Sequence, residues 1–365
     1  MEFHPTKSMW MTTKTSDQEI ELSNTILKQS SEYKYLGDIL TSDGKISETI
    51  TQRKNSIIGI TAELNAITDE LRQSTIHIDA VLQYHHGIII PRLLLNCETW
   101  NTLTKQNYTD IESIQNTNLK RLLRLPASTP SAGLRNELGI LSTRSQITKK
   151  RAMYLHRLLN LPQTNITQQI LLEQQTMPGN TWLHNTLTEL EELGLNISLD
   201  ELKCKSKQQW KSTLTQAITQ VDQNERQKWM QDSTKCKLIE TLNKVAPYIH
   251  KLQPAEAWII LKTRLGMLNL KMNYKTAHTD TICPLCTTEP DTQEHLLKCH
   301  KLSQSLQIFD YTKIFSNSNA DIPILEMMAQ AINQKMKQRE LLMEREEQSC
   351  TNRVPSLEDG QCIRQ

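Results

Sequence analysis

The stretch CPLCTTEPDTQEHLLKC, residues 283–299, decides the fold of the C-terminal part of this chain. Its spacing is C-x2-C-x8-H-x3-C, and its four metal-ligand residues are Cys283, Cys286, His295 and Cys299. Two thiolates on either side of Pro284-Leu285 can close a tight turn around one ion, and three thiolates with one imidazole form a common structural zinc site. Residues four apart on a helix share one face, which suits the H-x3-C half. The stretch therefore predicts a compact Cys3His zinc site.

Two alternatives to this ligand set stay open at the level of sequence. The cysteines could be ordinary reduced core residues, although the H-x3-C half that follows the C-x2-C pair favours a metal site. His300 could replace Cys299 as the fourth ligand, although the spacing of four residues from His295 favours Cys299. A zinc module of this size points toward a nucleic-acid-binding protein rather than a small-molecule enzyme.

The composition of the chain favours a mainly α protein. Its 365 residues are enough for two or three domains, yet only 37% are hydrophobic and only 10 are glycine. Few glycines combined with long stretches of helical periodicity predict helices throughout most of the chain. The net charge of +2 says little about partners, because the basic residues are unevenly placed.

The chain has the features of a soluble intracellular protein. Residues 1–24 are polar and contain no apolar segment typical of a signal peptide. The longest apolar run, residues 87–95, contains Pro91 and Arg92 and is shorter than the roughly 20 residues that span a bilayer. Scattered cysteines outside the zinc motif suit a reducing compartment; these are Cys97, Cys204, Cys236, Cys350 and Cys362.

Hydrophobic periodicity predicts the order of elements. Residues 33–40 are expected to form a short strand that ends at the Ser42-Asp-Gly-Lys45 turn. Apolar residues recur at helical spacing through residues 46–71, and a second apolar helix should run from about 76 to 90, where Pro91 stops it. Further helices are expected at 108–125, 142–160 and 321–347, with three tryptophans as packing anchors: Trp182, Trp210 and Trp229.

A basic stretch lies between residues 116 and 160. Only Glu137 opposes its nine positive charges, an imbalance that suits phosphate neutralisation by helices. The alternative is a solvated helix face, which is what charge runs usually are. The nine residues are Lys120, Arg121, Arg124, Arg135, Arg144, Lys149, Lys150, Arg151 and Arg157.

Catalytic motifs are not evident. The sequence contains no Gly-rich phosphate loop, no GxSxG, no HExxH and no Asp-Asp pair to hold two magnesium ions. Glu98, Asp110 and Glu112 are better explained as helix caps or surface charges. His85 and His86 point about 100° apart on a helix, so a structural role is favoured for both. The isolated chain is not expected to be an enzyme.

Several landmarks occur in a fixed order along the chain: Met1-Glu-Phe-His-Pro-Thr-Lys7, Tyr33-Lys-Tyr-Leu-Gly37, Ser42-Asp-Gly44, Ile90-Pro-Arg-Leu-Leu94, Glu98-Thr-Trp100, Thr129-Pro130, Glu137-Leu-Gly139, Arg264-Leu-Gly266 and the Cys3His motif. In this order the chain resembles the C-terminal part of a non-LTR (LINE-type) retrotransposon reverse transcriptase. That family's primer-grip strand is similar to Tyr33-Lys-Tyr-Leu-Gly37. Its thumb signature is similar to Ile90-Pro-Arg-Leu-Leu94 and Glu98-Thr-Trp100. The resemblance is strongest at 1–160 and 255–300.

The resemblance implies a division of the chain into six parts. These are a palm remnant at 1–44, a helical thumb-like domain at 45–165, a helical linker at 166–254, a zinc-knuckle module at 255–305, a charged helix at 306–348 and a disordered tail at 349–365. The family's catalytic aspartate pair would lie before Met1, so polymerase activity is not expected of this chain alone.

The resemblance also implies partners. Tyr35, Leu36 and Gly37 would lie near the primer backbone, the basic helices at 116–160 would follow the phosphates of an RNA/DNA template–primer duplex, and the Zn2+ module would help to hold it. A separate reverse-transcriptase fragment could supply the catalytic part, and nuclear residence would follow from the family's habit. Two alternatives are a non-catalytic helical interaction protein and a retroelement relic without function.

Overall fold

The computed structural model describes residues 4, 8–13, 19–22, 25–68, 76–101, 103–277, 280–302 and 310–351. These residues form a mainly α structure, which confirms the fold class expected from composition. The α-helices are α1 (Ser47–Thr68), α2 (Ile78–Tyr84), α3 (Ile90–Leu93), α4 (Lys105–Leu122), α5 (Ser131–Glu137), α6 (Thr143–Leu159), α7 (Ile166–Glu173), α8 (Trp182–Glu192), α9 (Leu199–Cys204), α10 (Lys207–Asp232), α11 (Pro247–Lys251), α12 (Pro254–Arg264), α13 (Gln293–Lys298) and α14 (Ile322–Thr351).

Short strands precede the helices. They are β1 (Met9–Trp10), β2 (Ile20–Leu22), β3 (Thr25–Gln29), β4 (Glu32–Tyr35) and β5 (Asp38–Thr41). In one small sheet β3 pairs in parallel with β1 and antiparallel with β2, and in the other β4 pairs antiparallel with β5. Most of the Met1-to-Lys7 landmark and all of the expected tail beyond Thr351 lie outside the described residues.

The expected single strand at 33–40 is wrong, because the chain reverses within it. Leu36 and Gly37 both have positive φ, 47° and 94°, and Tyr35 pairs with Asp38 across them. Two successive residues with positive φ form the tight turn that matches the twist of a hairpin, and glycine adopts this conformation without steric cost. The hairpin is fixed to α1 by Arg53, whose guanidinium lies 2.7 Å from Asp38 Oδ1.

The expected stop of a helix at Pro91 is also wrong. Helical structure runs on through Leu93, because a π-helical segment, His85–Ile89, lies between α2 and α3. The Ile90 N–H donates to the carbonyl of His85, five residues back. Pro91 then lies in the first turn of α3, where its lack of an N–H costs little. The wider turn therefore allows proline inside a continuous helix.

The chain divides into two compact units. Unit 1 comprises Met1–Arg72, Asp79–Trp229 and Thr241–Val245, and unit 2 comprises Gln73–Ile78, Met230–Glu240 and Ala246–Gln365. Two buried apolar clusters form the core of unit 1. One includes Ile50, Ile57, Leu93, Leu94, Trp100, Ile111, Ile114 and Leu122. The other joins α6 to α7, α8, α9 and α10 and includes Leu155, Leu158, Leu171, Leu183, Leu190, Leu202, Trp210, Leu214 and Ile218.

Unit 2 has its own core, in which α12 and α14 pack against each other. Its buried side chains include Tyr248, Ile249, Trp258, Ile260, Leu261, Leu325, Met328 and Ile332. The indole N–H of Trp258 donates to the carbonyl of Ile76 at 3.0 Å, which ties residues 76–78 to α12. Each unit therefore buries an apolar interior of its own.

Two of the three expected tryptophan anchors are buried. Trp182 is 9% exposed, and Trp210 is fully buried with its indole N–H donating to the Ala152 carbonyl at 3.1 Å. Trp229 is 45% exposed, so its interpretation as a packing anchor is wrong. Its side chain lines a cavity and is partly accessible to solvent.

Gly139→Ala is expected to destabilise unit 1 by about 2 to 5 kcal/mol. Gly139 follows α5 with a φ of 62°, and a Cβ there would lie 2.5 Å from the Val245 nitrogen and 2.6 Å from the Lys244 carbonyl carbon. Because both atoms belong to the backbone, neither can move aside cheaply. The matched control is Gly59→Ala in α1, where an added Cβ meets nothing within 4 Å. That control should stabilise by about 0.5 to 1 kcal/mol in the same denaturant titration. Equal effects of the two substitutions would contradict the expected clash.

Candidate metal centre and basic groove

The four residues of the Cys3His motif come together in unit 2. The Cys283 carbonyl accepts the N–H of Thr287 at 3.0 Å, which closes the C-x2-C turn, and Ile282 pairs with Pro290 across its base. Thr292 caps α13, which carries His295, and Cys299 follows the last residue of that helix. The ligand atoms of Cys283, Cys286, His295 and Cys299 all lie within 4.8 Å of one another.

The donor set and its spacing fit a zinc ion. Sulfur ligands about 2.3 Å from a tetrahedral zinc lie roughly 3.8 Å apart, which the cluster accommodates with small adjustments. All four side chains are buried, between 2% and 6% exposed. His300 is exposed and does not belong to the cluster, so the geometry favours Cys299 as the fourth ligand. A buried, four-ligand set of this kind is typical of structural rather than catalytic zinc.

Neighbouring side chains orient the ligands. Glu289 Oε2 lies 3.0 Å from Nδ1 of His295, which leaves Nε2 to face the cluster, 3.3 Å from Cys286 Sγ. The Thr288 hydroxyl donates to Cys286 Sγ at 3.3 Å. A carboxylate on the outer nitrogen of a ligand histidine fixes its tautomer and increases its basicity. The site therefore has both a ligand set and the groups that support it.

The two cysteines of the turn ionise differently. Burial raises the pKa of Cys283 to about 11. Burial also opposes ionisation of Cys286, but hydrogen bonds from the Thr288 side chain and from the backbone of Thr288 and Glu289 lower the pKa of Cys286 to about 6. One thiolate is thus ready at neutral pH, and a bound cation would favour ionisation of the others.

The charged C-terminal helix packs against this centre through buried cations. Lys335 of α14 is 2% exposed and donates to the carbonyl of Leu297 in α13. Arg339 is 4% exposed and donates to Asp291 Oδ2 at 2.6 Å and to the Asn269 carbonyl at 3.2 Å. Asp291 also accepts the Lys271 N–H at 2.8 Å. These contacts hold α14 to the segment that carries the metal ligands.

Several cations of the basic stretch form ion pairs within unit 1. Arg151 is 1% exposed with its guanidinium 2.7 Å from Glu189 Oε1, and Arg144 pairs with Glu192. Arg135 Nε lies 3.1 Å from Glu112 Oε1. These carboxylates lie outside residues 116–160, so the expectation that only Glu137 opposes the basic stretch is wrong. Because Arg151 is buried, it is not accessible to a phosphate.

The remaining cations of α6 line a groove of about 690 Å³, which we call the basic groove. Lys149, Lys150 and Arg157 of α6 meet Lys207 of α10 there, over an apolar floor that includes Met153 and Tyr154. Burial and the nearby Lys211 lower the pKa of Lys149. Among the described residues that line the groove, Glu98 is the one carboxylate. Sequence reasoning missed Lys207 and Lys211, whose spacing of four on a polar helix was the available signal.

The other expected nucleic-acid residues lie elsewhere on unit 1. Tyr35 and Leu36 are 56% and 75% exposed at the hairpin tip, beside the half-buried Gly37. Lys120 donates to the Ala127 carbonyl at 2.9 Å. Arg121 is exposed, whereas Arg124 is half-buried with a φ of 47°. The basic groove thus brings together cations of α6, whereas the hairpin residues and the α4 cations do not line it.

Comparison with known proteins finds no match to this chain among family models, curated proteins or solved structures. In the part of the chain that the structure describes, every helix is too short or too polar to cross a bilayer.

Proposed function

We propose that this chain is a non-catalytic nucleic-acid-binding protein that corresponds to the part of a non-LTR reverse transcriptase after its catalytic palm. Its Cys3His centre would hold a structural Zn2+, and its thumb-like helices would bind an RNA/DNA duplex. The observation that carries the proposal is the basic groove, which is lined by four cations and one carboxylate. Arg157 and Lys207 are exposed, Lys149 is half-buried, and the half-buried Lys150 donates to the Leu94 carbonyl at 2.8 Å. The ordered motifs of the sequence support the same assignment.

The groove has the chemistry of a phosphate contact. Lys149, Lys150, Arg157 and Lys207 lie on two helices, so their charges are presented at fixed spacing rather than on mobile loops. A duplex held through its backbone needs such cations and no base-specific side chains. Arg151 drops out of the expected set because of its pairing with Glu189, and Lys207 takes its place.

Catalysis is not part of the proposal. Phosphoryl transfer needs metal ions held by carboxylates. Among the described residues, the one cluster that could hold a metal ion is the Cys3His set, whose thiolates suit zinc rather than magnesium. Detectable primer extension by the purified chain, abolished by EDTA, would contradict this part of the proposal.

Charge reversal in the basic groove is expected to weaken duplex binding and its salt dependence. The triple variant Lys149→Glu, Arg157→Glu and Lys207→Glu removes three cations. The negative slope of log K against log salt should therefore become less steep by about 2 to 3. Binding of the zinc-loaded protein to a labelled RNA/DNA duplex is measured by fluorescence anisotropy at salt concentrations from about 50 to 300 mM.

The matched control reverses three exposed lysines elsewhere: Lys105, Lys228 and Lys237. It makes the same change in net charge, and its slope should stay close to that of the unmodified chain. Equal slopes for the two triple variants would show that net charge alone determines the salt dependence of binding. That result would overturn the assignment of the basic groove as the binding site. A folded, zinc-containing chain that fails to bind the duplex at low salt would instead support a retroelement relic or a non-binding interaction protein.

A further inference from the structure

A second cavity of unit 1, of about 610 Å³, is not explained by the proposed function. It lies where α4, the loop at 126–130, α5 and the end of α10 meet. The side chains that matter for its chemistry are Glu112, Asn116, Arg135, Asp222, Arg226 and Trp229. Sequence reasoning did not single out this cavity, because its residues come from four separate segments.

The charges that line the cavity balance. Lys120, Arg135 and Arg226 face three carboxylates, those of Glu112, Asp222 and Glu225. Arg226 Nε lies 2.9 Å from Asp222 Oδ2, and Arg135 pairs with Glu112. A phosphate would meet as many negative as positive groups here, so the cavity is unsuited to an anion. It suits an uncharged ligand that makes hydrogen bonds.

One donor atom and one acceptor atom in the cavity lining lack hydrogen-bond partners. Arg226 is 2% exposed, and its Nη1 is buried without a hydrogen bond. Asn116 Oδ1 is likewise buried without a hydrogen bond. Unsatisfied buried groups cost free energy, and native proteins rarely keep them without a ligand or water that completes the pairing. The cavity therefore offers both a donor and an acceptor.

Trp229 gives the cavity an aromatic surface. It is 45% exposed, although tryptophans of this chain such as Trp210 are buried. An exposed indole beside hydrogen-bonding groups can stack against a flat ring, an interaction that tolerates any base because every base has a π face.

We propose that this cavity takes an unpaired nucleobase, stacked on Trp229 with its polar edge toward Asn116 and Arg226. A nucleobase is planar, uncharged and carries donors and acceptors on one edge, which matches the three observations above. The inference rests on the proposed function, since the base would belong to a single-stranded segment of the bound nucleic acid.

The test uses the full zinc-loaded chain and a single-stranded RNA octamer with one 2-aminopurine, whose fluorescence is quenched on stacking. Trp229→Ala should weaken binding by roughly 5- to 150-fold and abolish the quenching, because it removes one base-stacking contact. Trp229→Phe keeps an aromatic face and should retain most of the affinity and most of the quenching. Met177→Ala, which removes an exposed apolar side chain from the same unit, should change neither.

The outcomes separate this inference from the proposed function. Unchanged octamer affinity and quenching in Trp229→Ala would overturn the base pocket, even if the duplex salt titration stays intact. If the unmodified chain fails to bind the duplex, 2-aminopurine riboside alone serves as the probe. Saturable quenching of the riboside by the unmodified chain but not by Trp229→Ala would then support the pocket without the duplex function. Absence of such quenching would mean that the cavity holds water only.

Discussion

The purified chain is expected to carry one zinc ion, and removal of the ion is expected to unfold the metal-binding part of unit 2. The ligand atoms of three thiolates and an imidazole lie within 4.8 Å of one another in a buried centre, so a bound ion would tie the C-x2-C turn to α13. Structural zinc contributes roughly 10 to 16 kcal/mol in zinc-finger peptides, which matches or exceeds the total stability of most domains. Metal analysis of chelator-free protein measures the zinc content, and hydrogen exchange with and without a chelator measures the loss of protection in α13.

Graded variants make this expectation sharper. Cys286→Ser should abolish stoichiometric zinc, whereas Cys204→Ser, at an exposed cysteine outside the cluster, should leave it unchanged. Glu289→Gln should keep the ion but weaken its binding by about 10- to 100-fold, because the carboxylate orients His295. A metal-free chain with full protection of α13 would contradict the metal assignment, and only the reduced core cysteines would then remain as an explanation.

Arg339→Met is expected to destabilise unit 2 by about 3 to 5 kcal/mol. The substitution leaves Asp291, 1% exposed, without the guanidinium that lies 2.6 Å from its carboxylate. A buried charge that loses its partner is costly, although the pair itself need not be strongly stabilising. The free energy of unfolding from urea titration, monitored with zinc in excess, measures the effect. Protection of α14 against trypsin should fall in parallel.

Two comparisons isolate the ion pair. Arg345→Met, in the exposed part of the same helix, should change stability by less than about 0.5 kcal/mol. The double variant Arg339→Met with Asp291→Asn removes the buried charge and should recover part of the loss, because an amide oxygen can still accept the Lys271 N–H. No recovery in the double variant would show that packing of the arginine stem, rather than charge, is what the contact provides.

Periodicity and spacing predicted the parts of this fold that depend on local pattern. The helices at 46–71, 108–125, 142–160 and 321–347 correspond to α1, α4, α6 and α14, with ends that differ by a few residues. The four metal ligands follow from their spacing in the same way, because the turn and the helix that carry them are local. In each case the residues that decide the structure are close together in sequence.

The features that sequence reasoning missed depend on contacts between distant segments. The sequence pattern predicted Arg151 as an unpaired cation, but its guanidinium pairs with Glu189, 38 residues away. Lys207 joined the basic groove only because α10 packs beside α6. The turn at Leu36-Gly37 was missed for another reason, since leucine is an uncommon residue at positive φ. Hydrophobic periodicity does not predict ion pairs between distant segments, and residue propensity does not predict a turn that places leucine at positive φ.

The π-helical segment gives unit 1 one place where the helical path can lose a residue and stay in register. A π turn holds one more residue than the α turn that it replaces, so His85–Ile89 sets the register between α2 and α3. Gly87 tolerates a side chain, because an added Cβ meets nothing within 4 Å. Its deletion would convert the π turn to an α turn, which would keep α2 and α3 in phase and leave Leu82 on the buried face. A deletion within α2 would instead rotate the residues before it by about 100°. At the π-helical segment the protein can therefore accept the loss of a single codon as well as a point substitution.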